Sequence, residues 1–286
     1  MGATAAVERI ARRDRLVVAL ALVVITGLAW LYLALEAARM AGGDMEGMAG
    51  AGVSGAEMAA MAGPMLGTWT ATDAALMFAM WAIMMVAMML PSAAPMMLFY
   101  ATVARRTGGG GPGVDRSVDR SGGRSAGGPL VHGAAFAGAY VVVWTGFSAL
   151  ATAAQWALER AALLSPMMVS TSAVLGGGLL VLAGLYQLTP VKTACLRHCR
   201  SPARFLSRHW RPGAAGAFRL GLVHGLFCLG CCWLLMALLF VGGVMNLAWI
   251  AVLTAVVALE KLVPHGPWLG RAAGIALVGA GAVMLA

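Results

Sequence analysis

Residues 218–240 read FRLGLVHGLFCLGCCWLLMALLF and carry a single formal charge, Arg219. About 20 consecutive apolar residues are enough to cross a bilayer as a helix. Lipid supplies no hydrogen bonds, so a crossing backbone must satisfy itself as a helix or a closed barrel. The stretch shows no alternation with a period of two, so helix is the reading and barrel strand is not.

Working outward, six further apolar blocks fall at about 16–35, 74–100, 131–157, 172–189, 245–260 and 268–285. The expected fold is all-α, a polytopic transmembrane helix bundle of about seven spans. Six is the alternative, because polar or Gly residues interrupt 131–157 and 172–189, and 245–260 is short. Composition agrees: hydrophobic residues make up 61% of the 286, charged residues 11%, and the mean hydropathy is +0.85. Soluble domains carry roughly 25% charged residues, so this chain has too few to wet a soluble surface.

The net charge of +9 does not point to nucleic acid. With the spans alternating from a cytoplasmic N-terminus, Arg9 to Arg15, Arg105 to Arg124, Lys192 to Arg219, Lys261 and Arg271 all fall inside. Only Arg39 and Arg160 are left outside, so 18 of the 20 basic residues lie on one side. Positive-inside bias produces this asymmetry. It predicts an inner-membrane protein with its C-terminus outside and lipid as its main partner. The first span has an apolar core of about 20 residues, longer than a cleaved signal peptide needs, and reads as a retained helix.

The chain reads as one membrane domain over 1–286 with two conspicuous loops. Residues 36–73 form an outer loop with Met40, Met45, Met48, Met58, Met61 and Met65 among Gly and Ala. Such thioethers invite capture of a soft ion. Residues 106–129 are rich in Gly, Ser, Arg and Asp and read as a flexible cytoplasmic linker.

Chemistry concentrates in a few places. His224, Cys228, Cys231 and Cys232 lie at offsets 0, 4, 7 and 8, and the first three share one helix stripe. Imidazole and thiolates on one face make a soft ligand set, suited to Cu(I) or Zn(II). Cysteine also packs well as a small residue between helices, which is the plain structural alternative. Cys195 and Cys199, in CLRHC, place two thiols one turn apart in a reducing compartment, where free thiols or metal ligands are favoured over a disulfide.

Along 75–100, Met77, Met80, Met84 and Met88 share a face, and Pro91 and Pro95 follow as a kink or break. Methionine is usually core filler, but the chain has 20, and thioether is a Cu(I) ligand. Met84 and Met88 are the candidate relay. Glu260 is a candidate ligand or proton acceptor, although with Lys261 beside it the pair reads equally as charges reaching for the interface. Asn246 reads either as a cap for the sixth helix or as a hydrogen-bonding group between helices.

Three motifs together resemble a bacterial family labelled predicted metal-binding integral membrane proteins, a domain of unknown function. They are MWAIMMVAMMLPSAAPM at 80–96, YQLTPVKTACLRHCRSP at 186–202, and GLVHGLFCLGCCWLLMALLFVGGVMNLAW at 221–249 followed by EKLVPHG. The resemblance covers about 75–285, apart from the Gly/Arg-rich insertion. It implies metal binding, with Cys195, Cys199, His224, Cys228 and Cys231 as ligands, and no stated reaction.

The leading expectation is a membrane protein that binds Cu(I), for transport or metal handling, with a metallochaperone as the protein partner such chemistry invites. No catalytic group stands out. Two other readings remain at this point. One is a thiol–disulfide oxidoreductase working Cys228–Cys231 against Cys195–Cys199. The other is a haem protein with His224 and His132 as axial ligands, although no C-x-x-C-H motif is present.

Overall fold

A computed structural model describes residues 16–39, 69–106, 129–165 and 168–286. The six methionines of the expected outer loop, the N-terminal arginines and residues 107–128 lie outside the described residues.

The described residues form helices and, apart from them, one isolated bridge, Leu164 to Ser170. The helices are α1 Leu16–Arg39, α2 Ala71–Arg106, α3 Pro129–Arg160, α4 Ala173–Gln187, α5 Pro190–Arg200, α6 Pro202–His209, α7 Gly213–Ala237, α8 Leu239–Gly242, α9 Leu247–Leu262 and α10 Gly266–Leu285. Each of the seven expected blocks contains a helix, but the count of seven crossings is not reached. Among the described residues, five helices are long and apolar enough to span, and a sixth span appears if α4 and α5, bent by 64°, form one broken crossing. The 16 residues of α9 fall short of the roughly 20 a straight span needs.

Local sequence explains the helix ends. Ser172, Thr189 and Asn246 cap α4, α5 and α9, each side chain accepting from the backbone N–H three residues on. Pro190 and Pro202 occupy first-turn positions, where a missing N–H costs nothing. Asn246 thus performs the capping role read from its position.

The prolines of α2 do not break it; the helix continues through Pro91 and Pro95. Pro91 has no N–H to give Ala87, four residues back. Trp30 of α1 supplies the replacement, its Nε1 donating to the Ala87 carbonyl oxygen at 3.2 Å. The same bond ties α1 to the bundle.

Helix directions follow from side-chain neighbours. Trp81 bonds Gln155 and Tyr140 bonds Met89, so α2 and α3 are antiparallel. Phe136 meets Gly221 and Val143 meets Gly225, so α3 and α7 run parallel. Gly177 faces Gly281 and Gly184 faces Gly274, so α4 and α10 are antiparallel and nearly touching. A Cβ on Gly184 would lie 2.6 Å from the Gly274 carbonyl oxygen, which is backbone and cannot step aside. Gly184→Leu is therefore expected to destabilise the bundle by about 1–3 kcal/mol or more. Gly178→Leu, on the same helix with open space around it, serves as the control in a thermal melt in detergent.

The interior is unusual for its sulfur. Met84, Met85, Met88 and Met89 are fully buried, packed with Trp81, Trp144 and Tyr140. The exterior is apolar too: Leu20, Val23, Leu150, Val174, Ile275 and Val283 are all exposed. A surface of this kind is compatible with lipid as solvent.

Candidate metal centre

The middle of α7 carries the thiols because Gly221 and Gly225 let α3 approach closely. That approach puts Tyr140 against Cys228, with the phenol oxygen 3.1 Å from the sulfur, and Tyr140 also donates to the Met89 carbonyl oxygen at 3.2 Å. Cys228, Cys231 and Cys232 are all buried. The thiols of Cys231 and Cys232 donate back to the Cys228 carbonyl oxygen at 3.1 and 3.0 Å. Cys232 also reaches the Met89 thioether, sulfur to sulfur 3.8 Å.

Of the two cysteines on α5, Cys199 joins this group, its thiol interacting with Cys228 and Cys231. Cys195 sits at the margin, its sulfur close against Gly230 on α7. Both are half-buried, and all five cysteines are free thiols. His198, inside the C-x3-C, stacks on Phe227 at 4.0 Å and takes no place among the thiols.

His224 is buried one turn before Cys228 and is packed between the rings of Phe136, Tyr140 and Phe205. Its Nδ1 has no hydrogen-bond partner. An orphaned imidazole nitrogen in a dry interior is costly unless something binds it, and a soft cation suits it. In the arrangement as it stands, no group of three or more His, Cys, Asp and Glu side chains among the described residues is posed to hold a metal. At Cys228 the Lys261 ammonium donates to the sulfur at 3.0 Å, and it also donates to Ser92 Oγ at 3.0 Å. A cation already faces the thiol.

The expectation that Glu260 and Lys261 reach for the interface is corrected. Both are buried, and they point to different neighbours. Glu260 pairs with Lys192 of α5 at 2.5 Å and accepts from Gln187 Nε2 at 2.7 Å. Arg200 donates to the Glu260 carbonyl oxygen and to that of Pro264. Glu260 is therefore engaged in holding α9 to α4 and α5, while its neighbour Lys261 enters the thiol cluster.

Met84 and Met88 are buried on α2, in the turns leading to Met89. Sequence reading missed Lys261, Tyr140 and Ser92 as cluster members. A usable signal existed for Lys261, since an ionisable residue next to a membrane helix end is by default a functional candidate. Tyr140 carries no such mark.

No curated protein and no solved structure matches the chain. The family model PpoB2, described as copper chaperone, matches residues 78–284, the region that contains every cysteine, α2 from Phe78 onward and the Lys261 cluster. The expected label of unknown function gives way to one that names the metal, and the chain belongs to the PpoB2 copper chaperone family.

Proposed function

We propose that this chain is an integral membrane chaperone for Cu(I), holding the ion on Cys228 with Cys199 and Cys231 and with His224 at hand. The observation that carries the reading is the meeting of thiols from two separate elements, α5 and α7, beside a buried imidazole whose Nδ1 lacks a partner. Thiolate and imidazole are the ligands that favour Cu(I). The ion enters as cargo, and side-chain rotation brings the sulfurs onto it while Lys261 draws back from Cys228. With two of the three sulfurs bound as thiolates, their protons released, and the third bound as a neutral thiol, the Cu(I) group carries a net charge of −1, which the retained ammonium balances in a medium that penalises unpaired charge.

Thiol–disulfide exchange gains no support from this arrangement. Exchange needs a sulfur open to attack by another thiolate, and Cys228 and Cys231 are each only 1% exposed.

The test is the copper content of purified protein beside Cys228→Ala/Cys231→Ala. The wild type is expected to retain stoichiometric Cu(I) against a moderate chelator, and the variant to lose it. Equal retention by both would remove the reading.

The sidedness is also part of the proposal. Ser170 bonds Phe240 and Tyr186 bonds Gly230, so α4 opposes α7; α10 opposes α4 and so runs with α7, which means α9 returns the chain from the α8 end toward the thiols. That path supports alternation with the thiols in the cytoplasmic half and the C-terminus outside, where positive-inside bias puts them. A reporter fused after Ala286 is expected to read as external; a cytosolic reading contradicts the topology.

A further inference from the structure

We propose a second soft-metal site at the end of the bundle opposite the thiols, in which the thioethers of Met77 and Met168 and the carboxylate of Glu159 take a monovalent thiophilic ion, Cu(I) or Ag(I). The three groups surround one atom. Gln155 Nε2 lies 2.8 Å from Glu159 Oε1, 3.3 Å from Met168 Sδ and 3.5 Å from Met77 Sδ. A side-chain amide has two hydrogens, so three acceptors share two donors. The acceptors outnumber what the protein offers them, and their common centre is buried with Gln155.

The surroundings hold these groups in position. Trp81 Nε1 donates to Gln155 Oε1 at 2.7 Å, which fixes the amide. Trp69 Nε1 donates to Glu159 Oε2 at 2.8 Å, which turns the other carboxylate oxygen inward. Met168 adopts φ 55°, a left-handed backbone conformation uncommon outside glycine and costly for a side chain as large as methionine. Its turn is closed by Met168 N donating to the Ser165 carbonyl oxygen and Ser165 N to that of Val169, both at 2.8 Å. The fold thus maintains an unfavourable backbone at the residue that delivers the second thioether.

The ligand set selects its ion. Two thioethers without thiolate or imidazole bind Zn(II) poorly and Cu(I) or Ag(I) well. One carboxylate neutralises one monovalent cation, as a buried site requires. Sulfurs now 3.3 and 3.5 Å from the amide nitrogen need to close by about 1 Å to reach ordinary metal–sulfur distances of about 2.3 Å. Gln155 gives up its place to the ion, much as Lys261 does at the thiols.

Twelve residues of α2 separate Met77 from Met89, about 18 Å at helical rise. The buried Met80, Met84, Met85 and Met88 lie between them. The thioether site therefore stands near the start of α2, and buried sulfur runs from it to the middle of that helix, where Met89 touches Cys232. Its service as the loading end rests on the function proposed above; the site itself does not.

The experiment titrates Ag(I) into the full-length protein purified in detergent and counts equivalents. With all five cysteines changed to Ala, one tightly held equivalent is expected to remain. Adding Met77→Leu and Met168→Leu, close to volume-conserving, is expected to weaken that equivalent at least 100-fold. Glu159→Gln, which keeps the Trp69 hydrogen bond, is expected to weaken it about tenfold. A thiol-free protein that binds no Ag(I), or one whose retained equivalent survives loss of both thioethers, overturns the proposal. A wild type and a thiol-free variant that bind equally would instead count against the thiol reading alone.

Discussion

Glu260→Ala is expected to cost the bundle about 3–5 kcal/mol, the usual effect of removing one partner from a buried ion pair. The carboxylate is 2% exposed and is bound by Lys192 and Gln187. Its loss strands the Lys192 ammonium, itself buried, in a medium with no water to receive it. The same truncation frees α9 from α4 and α5, the elements it clamps. Removing both charges together, with Lys192→Met and Glu260→Met, leaves no stranded ion and is expected to return most of the stability. Thermal melts of the single and double variants in one detergent measure the difference. The double variant also separates two roles for Glu260. If it folds and still binds Cu(I), the carboxylate is structural; if it folds and does not, Glu260 is a ligand after all.

The second large effect is at Cys228. It is the sulfur that both Tyr140 and Lys261 meet. Replacing a neighbour of a metal ligand typically costs 10–100-fold in affinity, so loss of the ligand itself is expected to cost 100-fold or more. Cys228→Ala should show this in competition with a Cu(I) chelator, while Cys195→Ala, at the margin of the cluster, should change affinity less than tenfold. Lys261→Met is expected to weaken Cu(I) by 10–100-fold, because the anionic copper–thiolate group loses its balancing charge. Lys261→Arg keeps the charge and should restore most of the affinity. A Lys261→Met protein that binds as tightly as the wild type would show that the ammonium does not serve the metal.

The parts of this fold that were legible in the sequence are those governed by periodicity and length. Apolar runs located the helices, and of the two roles open to Asn246 the structure shows the cap. The placement of His224, Cys228 and Cys231 on one stripe was visible because a single helix carries all three. What could not be read is what depends on helices far apart in the chain. Nothing in the spacing of Glu260 and Lys261 says that one turns toward Lys192 and the other toward Cys228. That division arises because neighbouring helical residues point about 100° apart and α9 is wedged between different partners on its two sides. Pro91 shows the same limit. Its missing N–H suggested a break, but the repair comes from Trp30, which bonds the stranded Ala87 carbonyl oxygen from 57 positions away along the chain. The gathering of Met77, Met168, Gln155 and Glu159 likewise joins α2, α3 and a turn. No window on the sequence contains it.

The central claim is that Cu(I) is held by sulfur inside the bundle, at Cys228. X-ray absorption at the copper edge of the full-length protein, loaded with one equivalent of Cu(I), tests it most directly. The account predicts a shell of sulfur at about 2.3 Å that is lost or replaced by a thioether-and-oxygen shell when Cys199, Cys228 and Cys231 are changed to Ala. A spectrum with only nitrogen and oxygen neighbours, or one left unaltered by removing those three thiols, would contradict it.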